Sequence, residues 1–348
     1  MPTINMLSSA EKIKGQGVAS AYLEQVHLVK EGLRDYIIHI NKMGFCDINH
    51  YHTVDLKYYL TIPLAKKKGI TVGYVHFLPE TIENSLQLPW ICRKVFYKYL
   101  IDFYNKMDFL VTVNPYFIDK LGEYGIIKEK IIYIPNFVSD QNFFAYSKEK
   151  RNKIREMKHL KENDFVVLGV GQIQTRKGVK DFVEIAQQLP QIQFIWAGGF
   201  SFGRMTDGYK TLSKIVNNPP QNVTFLGIVD RKEMNDIYNM ADVLFLPSYN
   251  ELFPMTVLEA MNCQLPLLLR DISIYDKILF DLYLKGKNND DFIQLLKKLR
   301  EDKDFYEFWK KQSCIGKEFY SKENVLKMWK NFYEKVLTFN NKRDIHRL

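Results

Sequence analysis

Short apolar runs alternate with longer amphipathic stretches along most of the chain. In the first part the runs with strand character are Ile4–Ser8, Tyr36–Ile40, Asp47–His52, Ile70–Phe77, Phe109–Val113 and Ile131–Ile134. Gly17–Glu31, Leu56–Lys68, Pro89–Lys106 and Tyr116–Tyr124 read as the helices between them. In the second part the strand runs are Phe165–Val170, Gln193–Ala197, Val223–Leu226, Val243–Leu246 and Pro266–Leu269. Val179–Gln188, Lys232–Met240 and Met255–Met261 read as helices there. Strands this apolar are buried on both faces, as in parallel sheets covered by helices. The β-then-α order predicts right-handed crossovers and a doubly wound α/β fold.

The alternation breaks once. Between Phe137 and Asn163 the chain turns polar and lysine-rich, no buried strand fits, and a fresh strand opens at Phe165. This is where one α/β domain is expected to give way to another. The stretch from about Asn288 to Leu337 reads as helical throughout, with aromatics at Phe305, Phe308, Trp309, Phe319, Tyr320, Trp329 and Tyr333. The expected division is 1–140, 141–320, and a last helix and tail over 321–348.

Composition narrows the classes. The chain has 348 residues, 46% apolar and 26% charged. Two domains are the expectation at that length, and collagen-like, disordered and disulfide-scaffold classes are excluded. Cys46, Cys92, Cys263 and Cys314 lie far apart without a Cys-x-x-Cys pair, which argues against a zinc or redox motif. No basic segment followed by an apolar core opens the chain, and no run approaches a membrane span. The net charge of +9 and 14% aromatics suit an anionic partner, nucleic acid or an anionic membrane. A coding bias toward Lys, Phe, Tyr and Asn would give the same composition.

The candidate chemistry sits at predicted strand ends. Glu251 lies in the loop after Val243–Leu246, where open α/β sheets place ligands. Pro254 suits the first turn of the following helix, so the N–H groups of Met255, Thr256 and Val257 would point back toward the loop as an anion site. Glu259 falls about one turn further in, where a carboxylate can accept two hydroxyls of a ribose. A second loop, Gly171-Gln172-Ile173-Gln174-Thr175-Arg176-Lys177-Gly178, follows another strand and brings two cations where a diphosphate would need them. It lacks the Gly-Lys-Ser/Thr order of a Walker A loop. Gly15-Gln16-Gly17 opens a helix and would serve as one wall of a phosphate cleft, although a full G-x-G-x-x-G is missing. His76 ends a predicted strand. His50 and His52 alternate along another, so their rings share a face. No carboxylate or Cys stands at ligand spacing to these histidines, so no metal is assigned.

Taken together, the Glu-x7-Glu run, the Gly171 to Gly178 loop, Asn222–Val229 and Ala241–Ser248 resemble the retaining glycosyltransferases of family 4 over nearly the whole chain. The resemblance implies the GT-B fold: two Rossmann-like domains facing a cleft, with a C-terminal helix crossing back to the N-terminal domain. It implies that Glu251 contacts the donor sugar, Glu259 the ribose, Lys177 the diphosphate, and that His76 lies beside the donor sugar. Gly15 and Gly17 would face the phosphates, and the Ile228 backbone would read uracil. Phe253, Met255 and Thr256 complete the expected donor-binding set; Arg176 joins Lys177, Glu251 and His76 in the catalytic one. Gln172 stands where the family often has Arg, and Arg176 would supply that charge from four residues on. Within the family the chain is similar to bacterial galactosyl-glucosyl- or diglucosyl-diacylglycerol synthases. That implies a UDP-galactose or UDP-glucose donor, a membrane glycolipid acceptor, no cofactor and no strictly required metal. It also implies peripheral attachment at the cytoplasmic face of the cell membrane. A soluble or polysaccharide acceptor, a UDP-sugar epimerase and a non-catalytic binding module remain as alternatives.

One segment supports the membrane expectation from its residues alone. Pro89–Lys106 interleaves Trp90, Arg93, Lys94, Phe96 and Lys98, and Lys66-Lys67-Lys68 precedes it. Basic residues are drawn to anionic lipid and aromatics suit its interface. An ordinary helix with solvated lysines would look similar. No RNA or DNA motif accompanies the charge, so nucleic acid is not expected.

Overall fold

The computed structural model describes residues 1–10, 17–79, 90–201 and 203–345. The chain divides into two compact units. The first gathers the described residues before Val138 and those from Ser321 on; the second is Val138–Tyr320.

The first unit holds β1 (Thr3–Leu7), β2 (Ile37–Ile40), β3 (Ile48–Tyr51), β4 (Ile70–Val75), β5 (Phe109–Thr112) and β6 (Ile131–Tyr133). They form one sheet in the order β2-β1-β3-β4-β5-β6, with every neighbour parallel. β3, β4 and β5 are buried at every position; β4 and β5 read as mostly apolar runs for that reason, while β3 buries Asn49 and His50 as well. The last helix, Lys322–Ile345, belongs to this unit. It buries Val325, Trp329, Phe332, Tyr333 and Val336, and its Trp329 ring lies 5.9 Å from Tyr74. A helix returning to the first unit is therefore present.

The second unit holds β7 (Val166–Val170), β8 (Gln193–Ala197), β9 (Val223–Gly227), β10 (Val243–Leu246), β11 (Leu267–Arg270) and β12 (Leu284–Gly286). Its sheet runs β12-β11-β10-β7-β8-β9, again all parallel. That is the Rossmann order, with two strands outside the central pair β7/β10 on each side. Both units are Rossmann-like, and the fold is GT-B. In each sheet the winding direction reverses at one point, β1/β3 in the first and β7/β10 in the second. Loops leaving the carboxyl ends of such strands form a crevice where ligands bind.

Three elements depart from the sequence expectation. Lys148–Met157 is a helix, although its stretch reads as a polar junction. It is held by charge rather than by an apolar face. Arg151 and Arg155, one turn apart, grip the two oxygens of Asp242 at 2.6 and 2.7 Å. Arg155 is buried and also donates to the carbonyls of Met240, Glu162 and Asp164. Tyr209–Asn217 is a second unexpected helix, with Leu212 its one buried residue. β12 is three residues long and carries no periodicity to read. The region expected to be helical throughout resolves into Asn289–Glu301, Lys303–Phe319 and Lys322–Ile345. Among the described residues no helix is long and apolar enough to cross a membrane.

Candidate functional site

In the second unit the two loops at the switch point meet. After β7 the chain passes Gly171 and makes a tight turn, Thr175–Lys177. Gly178 then adopts a left-handed conformation, φ 69°, as the cap of helix Val179–Gln188. A Cβ there would stand 2.3 Å from the Pro247 carbonyl oxygen, so only glycine lets the β7 loop press against the β10 loop. Tyr249 N–H donates to the Arg176 carbonyl at 2.8 Å, and Arg176 Nη1 donates to the Asn250 carbonyl at 3.0 Å. These bonds bring Lys177 Nζ to 2.5 Å from Glu251 Oε1 and Arg176 Nη1 to 3.8 Å from Oε2. Lys177 and Glu251 are both buried. Burial alone would push the Glu251 carboxyl up, but the charges of Lys177 and Arg176 outweigh it and hold it below the ordinary value. Burial pulls the Lys177 ammonium down, against the opposing pull of Glu251. The result is a carboxylate ionised at neutral pH, with two cations beside it in a dry place.

Polar atoms in these elements lack partners among the described residues. Gln174 Oε1, Thr256 Oγ1 and Tyr275 OH are buried with no hydrogen bond. Gln174 precedes the two cations by two and three positions. Thr256 is in the first turn of the helix after Glu251. Tyr275 is fully buried, and Glu251 and Arg176 both act on its hydroxyl electrostatically. Buried polar groups are almost always paired, so these atoms are available to a hydrogen-bonding ligand.

Helix Met255–Asn262 follows Glu251. The helix begins at Met255 as expected, and Pro254 is its cap in an extended conformation, φ −68° and ψ 127°. Its carbonyl accepts from Val257 N–H at 3.1 Å, so of the three expected N–H groups only those of Met255 and Thr256 fall before that bond. Glu259 is buried on this helix, with Arg231 Nη1 at 2.9 Å from Oε1 and Tyr238 OH donating to Oε2 at 2.6 Å. Phe253 and Met255 are buried, and the Phe253 ring packs 5.0 Å from Tyr320. Ile228 follows β9 and is exposed.

The first unit carries the histidines. His76 follows β4 directly, one residue past its end, and is buried. Its ring stacks on Tyr74 at 4.3 Å, and Tyr74 stacks on His52 at 5.2 Å. His50 and His52 do share a face, with centroids 4.2 Å apart. Tyr333 of the returning helix stands 3.0 Å from His50 Nδ1. Burial lowers the pKa of His50 and of His76 to about 3 and that of His52 well below its ordinary value. All three imidazoles are neutral at pH 7. Of the two N-terminal glycines, Gly17 opens helix Gly17–Gly32 and Gly15 lies outside the described residues. Among the described residues no three His, Cys, Asp or Glu side chains converge as a metal site would.

Two helices of the first unit pack side by side through aromatics. Tyr59 of Leu56–Lys68 meets Tyr99 of Trp90–Asn105 at 5.1 Å and Phe103 at 6.3 Å. Their outer faces are apolar and basic. Leu56, Leu60 and Leu64 stand one turn apart and are 62%, 66% and 55% exposed. Trp90, Ile91 and Val95 are 61%, 58% and 65% exposed on the second helix. Lys57, Lys67, Lys68, Lys94 and Lys98 are exposed among them. Lys66 instead turns to Asp108 at 3.1 Å, and Arg93 and Phe96 are half-buried. The leucine stripe was readable as an i, i+4, i+8 pattern opposite the buried Tyr58, Ile62 and Ala65. Arg231, Tyr238 and Tyr275 had no such signal, because their roles depend on where separate turns and helices converge.

Residues 150–314 match the family model described as glycosyl transferases group 1. The chain is 44% identical over 344 residues to the alpha-galactosylglucosyldiacylglycerol synthase of Streptococcus pneumoniae, covering 97% of this chain and 91% of that one. It is 31% identical over 240 residues to the processive diacylglycerol alpha-glucosyltransferase of Acholeplasma laidlawii, covering 68% and 71%. Its fold is similar to that of Anabaena HepE, crystallised in complex with UDP-glucose, at a TM-score of 0.78 and 14% identity over 96% of this chain and 100% of that one.

Proposed function

The chain belongs to the glycosyl transferases group 1 family, and from that premise we propose that it transfers a hexose from UDP-glucose or UDP-galactose to a membrane glycolipid such as α-glucosyl-diacylglycerol, with retention. The observation that carries the reading is the buried Lys177–Glu251 pair at the switch point, with Arg176 beside it. Both named relatives are diacylglycerol glycosyltransferases, and they support the lipid acceptor.

On this reading Glu251 accepts hydrogen bonds from hydroxyls of the donor sugar, and Glu259 from those of the ribose. The Ile228 backbone reads the uracil. Lys177, Arg176 and the N–H groups of Met255 and Thr256 face the diphosphate. The acceptor hydroxyl attacks the anomeric carbon on the face from which the diphosphate leaves. The bond from that carbon to the phosphate oxygen breaks, the new glycosidic bond forms, and the acceptor proton passes to the leaving phosphate oxygen. Positive charge fixed in a dry site stabilises the diphosphate as its charge grows. His76, neutral and buried, offers a hydrogen bond to the transferring sugar. No protein base is assigned. The test is UDP release from each UDP-hexose. Release that requires vesicles carrying glucosyl-diacylglycerol supports the proposal. Equal release with soluble saccharides alone would replace it with a soluble-acceptor transferase.

The paired helices are, on the same reading, the membrane face of a peripheral enzyme at the cytoplasmic side. Changing Lys67, Lys68, Lys94 and Lys98 to Ser is expected to weaken binding to anionic vesicles, by about 1 kcal/mol per lysine at low salt. Changing Leu56, Leu60 and Leu64 to Ser should remove a part of binding that salt does not screen. Vesicle sedimentation at two salt concentrations separates the two. Undiminished binding in both variants would make these helices plain surface.

A further inference from the structure

Glu259 is gripped from within the protein on both oxygens. Arg231 Nη1 lies 2.9 Å from Oε1 and Tyr238 OH 2.6 Å from Oε2. Tyr238 is fully buried, and the Phe143 ring meets it edge-on at 5.7 Å. The Arg231 guanidinium lies over that same Phe143 ring, 5.0 Å from its centroid. Burial and the neighbouring Glu259 charge hold the Tyr238 hydroxyl well above its ordinary pKa, so it remains a donor. The grip therefore involves three elements: the helix of Glu259, the turn after β9 that carries Arg231, and helix Met234–Met240 that carries Tyr238.

A carboxylate has about four lone-pair directions, two on each oxygen. Arg231 and Tyr238 use one on each. One remains on each oxygen, enough for the two neighbouring hydroxyls of a ribose. Arg231 also follows Ile228 by three residues, so one turn holds both the proposed base reader and a group that aims the carboxylate.

We infer that Arg231 and Tyr238 are positioning residues of the nucleotide site, setting the plane of Glu259 so that its two free lone pairs select a ribose over a deoxyribose. The inference rests on the ribose reading of Glu259. Affinity is measured by calorimetry for UDP and for 2′-deoxy-UDP. The wild type should prefer UDP by about tenfold, the worth of one hydrogen bond to a charged group. Tyr238→Phe keeps the ring and removes only the hydroxyl; it should lose most of that preference. Arg231→Met should do the same, with Arg231→Lys recovering part. In turnover both losses should appear in KM for the UDP-sugar more than in kcat. If Glu259→Ala loses the preference while Tyr238→Phe and Arg231→Met keep it in full, the positioning role is overturned and the ribose reading stands. If the wild type has no preference, or Glu259→Ala keeps it, the ribose reading itself fails and the inference with it.

Discussion

Lys177→Ala is expected to cut turnover by about 10² to 10³, the cost of removing one fixed stabiliser of developing charge. It should also destabilise the second unit. Glu251 is only 5% exposed, and without Lys177 its nearest cation is Arg176 at 3.8 Å. Removing one partner of a buried pair costs about 3–5 kcal/mol, because the other charge is left in a medium that solvates it poorly. The two effects separate in a double variant. Lys177→Met with Glu251→Gln removes both charges of the pair, so the double variant should lose less stability than the two single effects add to. Turnover should stay low, because neither the cation nor the carboxylate returns. Thermal unfolding beside initial rates reads both quantities. If the double variant regains turnover along with stability, the pair is structural and the diphosphate lies elsewhere.

Acidification should destabilise the first unit through its buried histidines. In the unfolded chain each imidazole takes a proton near pH 6.5; in the fold His50 and His76 do so only near 3. Between those values the unfolded state binds more protons, so stability falls as pH drops through 6.5 and continues to fall toward 3. At pH 5 each of these two residues costs about 2 kcal/mol. His52, lowered in the same direction, adds to it. Among the described residues, the groups recorded against the three rings are Tyr22, Tyr74, Trp329, Tyr333 and the Met6 sulfur, none of them a carboxylate that would hold an imidazolium. The check is the melting temperature from pH 7 to pH 5, for the wild type and for a His50→Gln, His52→Gln variant. The wild type should fall more steeply, whatever the variant loses at neutral pH. Parallel slopes would mean that the histidines are charged in the fold.

Most of this architecture is written in hydrophobic periodicity. Strands such as Val243–Leu246 and helices such as Val179–Gln188 were legible because burial on both faces, or on one, leaves a run or a stripe. Helix Lys148–Met157 was not, because its anchor is a pair of arginines on Asp242, and charge at helical spacing reads as solvated surface. The site was legible as positions: Glu251, Lys177 and Arg176 stand in loops after apolar strands, and the parallel sheet brings those loops together. What holds Glu259 was not legible. Tyr238 and Arg231 lie 21 and 28 residues from Glu259 and meet it only through tertiary folding. The membrane-facing expectation weighted the basic and aromatic residues of Pro89–Lys106 and the cluster Lys66-Lys67-Lys68 at the end of the preceding helix. An equally exposed apolar stripe, Leu56, Leu60 and Leu64, lies on that preceding helix.

The most direct measurement is the lipid product itself. The protein is incubated with UDP-glucose or UDP-galactose and vesicles containing α-glucosyl-diacylglycerol, and the extracted lipids are analysed by mass and by the anomeric coupling of the new sugar. The account predicts one added hexose from one of the two donors, in α linkage, and none from the Lys177→Met, Glu251→Gln variant. A β linkage, or vesicles that gain no hexose from either donor, would contradict it.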